Sequence, residues 1–284
     1  MAAAYRVDGS KKIRLSDIEA AQRGGMDKDE GRKRTDGLGV ELSELADLLF
    51  YAGEHSLLVV LQGRDSSGKD GAIRRILTYS NVQSLRVEAF KVPSPEEMAH
   101  DFLWRIHSRV PARGHMALFN RSHYEDVLVP RVHKLLPEKV WRRRYDHINR
   151  FEDLLYDANT IILKFFLHIT KEEQEERLLA REQETEKAWK LAVADWKERE
   201  FWDAYTEANE DALNHCSQPH APWYVVPADH KWYRDLAIVE QLVETLRPYR
   251  EVWLGKLEDI GKKSKAALEE YRALQSSGGP AKSG

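Results

Sequence analysis

The residues best suited to chemistry are Gly63-Arg64-Asp65-Ser66-Ser67-Gly68-Lys69-Asp70-Gly71. The spacing Gly63-x-x-x-x-Gly68-Lys69 is that of a P-loop. Its glycines permit a tight turn whose backbone N–H groups point inward, and with the start of the next helix they make an anion site. Ser66, Ser67 and Gly71 belong to the same cradle, and Lys69 is placed to bridge phosphate oxygens as a mobile point charge. An apolar run, Ser56 to Gln62, enters the loop, and a helical pattern follows from Gly68 to Tyr79. That strand-loop-helix setting separates a P-loop from a Gly-rich turn that binds nothing.

Two acids set this loop apart. Asp70 stands where the usual pattern has Ser or Thr, whose hydroxyl binds Mg2+. Asp65 is a second carboxylate inside the loop. A carboxylate there repels bare phosphate, so Asp65 is expected to hold a metal that bridges to it, Mg2+ or Mn2+. The competing reading is that Asp65 orders the turn by accepting backbone hydrogen bonds. For Asp70, the competing role is that of an acid favoured by the dipole in a helix's first turn.

A second cluster follows the short apolar run His115–Phe119: Asn120-Arg121-Ser122-His123-Tyr124-Glu125-Asp126. In P-loop proteins a strand end near the loop supplies an acid to the metal's surroundings. Asn120 occupies that place, and its carbonyl oxygen is a candidate metal ligand; a plain turn residue is the alternative. Arg121 has the planar fork that grips two phosphate oxygens. Glu125 lies one to two helical turns on, where it either shares the metal or senses the acceptor. His123 and Tyr124 are open between site and packing roles.

Glu172 to Arg199 is densely charged, with Arg177, Arg181, Lys187, Lys190, Lys197 and Arg199 among acids. In a kinase built on this P-loop fold such a segment would close over the phosphates and exclude water. Arg177 and Arg181 are four apart and share a helix face, which makes them candidate clamps on a transferring group; an exposed helix with ion pairs such as Glu173–Arg177 is the alternative. Arg74 and Lys231 are further phosphate contacts. Arg75, Arg131, His133, Lys134 and Arg142–Arg144 offer a basic track for a polyanion, although most of Arg142–Arg144 reads better as a solvated helix face.

The elements that must position these residues are visible in the periodicity. Short apolar runs at 56–62, 85–90, 115–119, 160–169 and 222–226 read as strands, and helical patterns alternate with them at 40–54, 94–108, 138–158, 170–181, 195–215 and 230–248. Thr170-Lys171-Glu172-Glu173 resembles a capping box. Strands alternating with helices predict a parallel sheet covered on both faces. Residues 1–38 are polar and Gly-rich and read as an extended arm. Residues 251–274 are helical in pattern and highly charged, and 275–284 read as a loose tail.

The chain has 284 residues, enough for a sizeable core. Its 32% charged residues nearly cancel at a net charge of −3, which does not suggest a general nucleic-acid binder. One cysteine, Cys216, cannot form an internal disulfide, so a reducing compartment such as the cytoplasm is expected. No stretch approaches the roughly 20 apolar residues of a membrane span, and the N-terminus lacks the apolar core of a signal peptide. Trp223 and Trp232 read as core or subunit-contact residues rather than base-stacking ones, and aromatics such as Phe201 and Trp202 as core or interface. A homo-oligomer, dimer or tetramer, is expected.

Taken together, Gly63–Gly71 and Phe119–Val127 closely resemble the second family of polyphosphate kinases. Ser94–His107, Leu163–Ile169 and Ala221–Tyr233 agree with it, so the resemblance runs from about Tyr5 to Arg250. It implies an α/β, thymidylate-kinase-like P-loop fold of three layers, with a central parallel sheet in residues 39–250 and a helical lid at about 171–200. It also implies Mg2+-dependent phosphoryl transfer between inorganic polyphosphate and a nucleotide, with Asp65 and Asn120 at the metal and Lys69 and Arg121 on phosphate. The Asn-Arg-Ser-His-Tyr-Glu-Asp form of the second motif is similar to the subgroup that accepts both AMP and ADP. The segment after about Tyr249 has no counterpart in it.

Three functions stay open from the sequence. The resemblance implies phosphorylation of AMP to ADP and of ADP to ATP by polyphosphate, reversibly. The same fold also suits a nucleoside monophosphate kinase that uses ATP. Asn120 in place of an acid keeps open a sensor that binds nucleotide or polyphosphate without turnover.

Overall fold

The computed structural model describes residues 3–183 and 193–277. Tyr5–Val7 (β1), Ser56–Gly63 (β2), Leu85–Ala89 (β3), Met116–Asn120 (β4), Thr160–His168 (β5) and Trp223–Pro227 (β6) form one six-stranded sheet in the order β1-β6-β5-β2-β4-β3. Neighbours pair in parallel except β1, which runs antiparallel to β6. The helices are Lys28–Ala52 (α1), Lys69–Thr78 (α2), Pro95–Met98 (α3), Trp104–His107 (α4), Glu125–Val132 (α5), Glu138–Asp157 (α6), Lys171–Gln183 (α7), Val193–Arg199 (α8), Trp202–His215 (α9), Lys231–Leu246 (α10) and Arg250–Ser277 (α11).

The strands read as unbroken apolar runs because both faces of the sheet are covered. Leu57, Val59 and Leu61 of β2 pack with α1, α2 and α10, whereas Leu58 and Val60 pack with α5, α6 and α9. The central strands therefore bury every residue from Ser56 to Gln62. Their C-terminal ends open where β2 sends the chain toward β3 and β5 sends it toward β6. Ligands of open α/β sheets bind outside such a reversal.

The structure corrects several expectations. Residues 3–38 are not a free arm. β1 closes one edge of the sheet, and α1 begins at Lys28, where the Asp27 carboxylate accepts the N–H groups of Asp29 and Glu30 at 2.9 and 2.8 Å. The buried face of this first half carries Gly31, Thr35 and Gly39 rather than large apolar residues, so it has no apolar period. The ring of Trp232 lies over Gly31 and that of Tyr79 over Gly39, where any side chain would collide. The helix expected over 94–108 is two single turns. The Asp101 side chain takes the N–H of Leu103 at 3.0 Å and offers the backbone an alternative to continuing the helix.

The helix expected from Asp195 to His215 breaks between α8 and α9. Only half of the Thr170 capping box forms. Thr170 Oγ1 accepts from Glu173 N at 3.1 Å, but the Thr170 N–H donates to Asp229 at 2.9 Å and the Glu173 carboxylate is held by Arg177. The helical reading of 251–274 holds in α11, while the tail beyond 277 lies outside the described residues.

His123 and Tyr124 resolve as core. Both are fully buried beside Glu152 of α6 and Lys164 of β5. Lys164 donates to Glu152, to Tyr124 Oη at 3.0 Å and to the Cys216 carbonyl at 2.6 Å, and His123 Nε2 lies 3.2 Å from Glu152. Burial alone would raise the Glu152 carboxyl, but the Lys164 charge and the hydrogen bonds outweigh it and hold it below the usual value. Lys164→Met leaves that carboxylate buried without its counter-charge and is expected to lower unfolding stability by about 3–5 kcal/mol, read from urea titration. A change within error would mean that the pair carries no stability.

Candidate active site

A turn that aims its N–H groups at an anion directs its C=O groups elsewhere, and these need donors. In residues 63–68 side chains supply one to every carbonyl. Lys69 Nζ donates to Gly63 O at 2.7 Å and Arg64 O at 3.0 Å, and Gln174 Nε2 donates to Asp65 O at 3.0 Å. Arg177 donates to Ser66 O and Ser67 O at 2.9 and 3.0 Å, and Arg234 to Gly68 O at 3.1 Å. Gly68 is at φ 100°, and a Cβ there would run into the Arg234 guanidinium. The hydroxyls of Ser66 and Ser67 are buried and have no hydrogen-bond partner among the described residues. Unpartnered hydroxyls in a cradle of N–H groups suit phosphate oxygens.

Arg177 is therefore not free to clamp a transferring group. An arginine has five N–H donors. Those of Arg177 go to Ser66 O, Ser67 O, Ala228 O, Asp229 O and the Glu173 carboxylate, the last at 2.6 Å. It ties the start of α7 to the loop and to the turn before α10. Arg181 differs: it pairs with Asp195 of α8 at 2.9 Å, and Asp195 lines a cavity beside the loop. Of the other lid cations, Lys187 and Lys190 fall outside the described residues, and Arg199 is held by Glu175 and the Lys171 carbonyl.

The second motif meets the loop from β4. Arg121, at φ 63°, pairs with Asp65 and reaches Glu125 at 3.0 Å, and Gln62 Nε2 donates to Glu125 at 3.1 Å. Asn120 Nδ2 donates to Asp70 at 2.8 Å. The structure thus gathers Asp65, Lys69, Asp70, Asn120, Arg121 and Glu125. Burial would pull the Arg121 guanidinium down, but Glu125 and Asp65 outweigh it and hold it above its usual value. No cluster of three or more His, Cys, Asp or Glu side chains among the described residues could cage a metal. One or two carboxylates and an amide beside a phosphate cradle match Mg2+, which binds through few protein oxygens and completes its octahedron with phosphate and water.

A cavity of about 360 Å3 opens from this constellation. Sequence reading missed much of its wall, Gln62, Tyr205 and the Arg64–Trp202 stack, with the guanidinium 3.6 Å from the ring centre, while His133, expected on the basic track, does line it. Trp202, expected as core or interface, lines this cavity. Trp223 is core as expected. Arg74 is exposed on α2, and Lys231 lines a separate cavity of about 480 Å3 with Lys28, Arg32, Arg75 and His230. The expected basic track does not form one surface. Arg75 and Arg131 are drawn into ion pairs with Asp235 and Asp211, and α2 and α5, which carry them, pack on opposite faces of the sheet.

The family model for Polyphosphate kinase 2 matches residues 25–252. The chain belongs to that family. It is 50% identical over 209 residues to a Meiothermus ruber protein named AMP/ADP-polyphosphate phosphotransferase, covering 74% of this chain and 78% of that one. It is 43% identical over 217 residues to an ADP-polyphosphate phosphotransferase of Rhodopseudomonas palustris, covering 72% and 75%. The crystal structure of Polyphosphate Kinase 2 from Arthrobacter aurescens TC1 superposes with a TM-score of 0.81 at 36% identity, over 87% of this chain and 92% of that one.

Within this polyphosphate kinase 2 site, Lys69 is held in a setting that favours its neutral form. Burial, and then the Arg121 charge, push the Lys69 ammonium down to about 8, against the pull of Asp65, Glu125 and Asp70. Lys69 is charged below that value and loses its charge above it. We expect kcat/KM, which reports the free enzyme, to fall as pH rises through about 8. Lys69→Arg, charged throughout, should abolish that limb; a limb that persists in the variant would belong to another group.

Proposed function

We propose that this chain transfers phosphoryl groups between inorganic polyphosphate and AMP or ADP, making ADP and ATP reversibly. The carrying observation is the single constellation formed by the P-loop and the second motif, opening into a cavity large enough for a nucleotide. The names of the relatives that share these motifs supply the donor.

Phosphoryl transfer asks little covalent help of the protein and much positioning. The loop N–H groups, Ser66, Ser67 and Lys69 hold the phosphates, and Arg74 and Lys231 serve the polyphosphate beyond the loop. Arg121 exchanges its carboxylate partners for phosphate oxygens, as a planar fork can. Glu125, fixed by Gln62, faces the acceptor. Bound Mg2+ would be held by Asp65 and by Asn120 Oδ1 and would neutralise charge on the transferring group. Arg181 approaches as the lid closes, and Arg177 keeps the loop in shape. An acceptor phosphate oxygen then attacks the terminal phosphorus in line, and the donor leaves one unit shorter. Cys216, single and buried, suits a reducing compartment, and we place the protein in the cytoplasm.

Purified protein with polyphosphate, Mg2+ and AMP is expected to yield ADP and then ATP. Absence of both under varied conditions overturns the proposal, and turnover with ATP but not polyphosphate as donor replaces it with a nucleoside monophosphate kinase. Lys69→Ala should lower kcat by about 10²–10³-fold or more, the scale of one lost charge-stabilising donor; near-normal turnover would move the reaction elsewhere. Glu125→Asn should depress AMP use more than ADP use, and equal losses would remove Glu125 from acceptor selection.

A further inference from the structure

The family match ends at residue 252, but α11 runs on to Ser277. Its start is anchored: Trp253 is fully buried, donates to His55 Nδ1 at 3.1 Å and stacks on Tyr249. Beyond Leu257 the helix leaves the body, and from Lys262 to Gln275 every residue is exposed. Those residues are not polar throughout. Ile260 is 42% exposed, Leu268 45% and Tyr271 59%. Gly261 lies in the same stretch, and a glycine disfavours a helix by about 1 kcal/mol relative to Ala. A helix so placed needs packing to stay formed.

The apolar residues follow a coiled-coil register. Trp253, Leu257, Ile260, Ala267, Tyr271 and Leu274 fall at alternate spacings of four and three, with Ser264 as the one polar member. A sustained repeat of 3.5 residues specifies a helix partner along the seam. The charges say which. Lys262, Lys263 and Lys265 precede Glu269 and Glu270. Lys263 and Glu270 both flank the seam at the position before an inner residue. In an antiparallel pair those two positions face each other, whereas in a parallel pair Lys263 would face Leu268.

We propose that α11 pairs antiparallel with α11 of a second copy of this chain. The pairing sets Ser264 opposite Ala267 of the other copy at its centre, with Ile260 opposite Tyr271 and Leu257 opposite Leu274. It brings Lys263 to Glu270 twice and lays Leu268 over Gly261, where a Cβ would meet nothing among the described residues of its own chain. A shift of one heptad either way sets Lys263 against Lys263 or Glu270 against Glu270. The two bodies sit at opposite ends of a coil of about 27 Å. The contact is isologous, as a two-fold interface must be. It is independent of the reaction proposed above.

Sedimentation equilibrium of the full chain over a concentration series tests the proposal. Ile260→Glu and Tyr271→Glu should each halve the mass of the assembly, whatever other interface it contains. Lys263→Glu and Glu270→Lys should each do the same. An equimolar mixture of those two variants, and the double variant K263E/E270K, should restore the parental mass. A parental mass of a single chain overturns the proposal, as does a mass unchanged by Ile260→Glu. Loss of mass in the two charge variants without recovery on mixing overturns the antiparallel register.

Discussion

The carbonyl side of the P-loop is the constraint from which the rest of the site follows. N–H groups converging on an anion force C=O groups outward, into a region where water is scarce and each unsatisfied acceptor would cost about 1–3 kcal/mol. Arg177, Arg234, Gln174 and Lys69 meet that demand. Three of these donors are charged and almost fully buried, and the two guanidinium groups each have their own acid: Glu173 for Arg177 and Asp235 for Arg234. The acids offset the cost of burial, and the two guanidinium groups leave a positive field on the loop that favours phosphate.

The same tie explains how the lid is joined to the chemistry. Arg177 belongs to α7, and its fork holds the loop together with the turn before α10. The first half of α7 is therefore part of the loop's own framework. One helical turn further on, Arg181 is held, among the described residues, by an acid of α8. Two arginines four residues apart thus have different partners: one is bonded to four backbone carbonyls and a neighbouring acid, and the other to a carboxylate of α8.

On the acceptor side the acids and cations neutralise each other across motifs. Arg121 bridges Asp65 and Glu125, so neither carboxylate faces the cradle without a counter-charge. This permits an acid within a phosphate-binding loop. The unbroken core on both sides of β2 keeps the two motifs in register, since Leu61 of β2 lies directly beside Asn120 of β4.

The sequence by itself determined the parts whose signal is local. The P-loop, the strand-end motif and the alternation of strands and helices were legible because spacing and apolar period are properties of neighbours along the chain. Tertiary structure decided the rest. Arg177 and Arg181 look alike in sequence, and only the placing of Ser66, 111 residues away, makes the first a structural tie. Arg234 reaches Gly68 over 166 residues, a separation no motif encodes. The first half of α1 stayed hidden because Gly31 and Gly39 are buried under rings from elsewhere and carry no apolar signal of their own. Hydrogen bonds to a shared turn, and small residues beneath large ones, are settled by what folding brings near, and the linear pattern has no record of them.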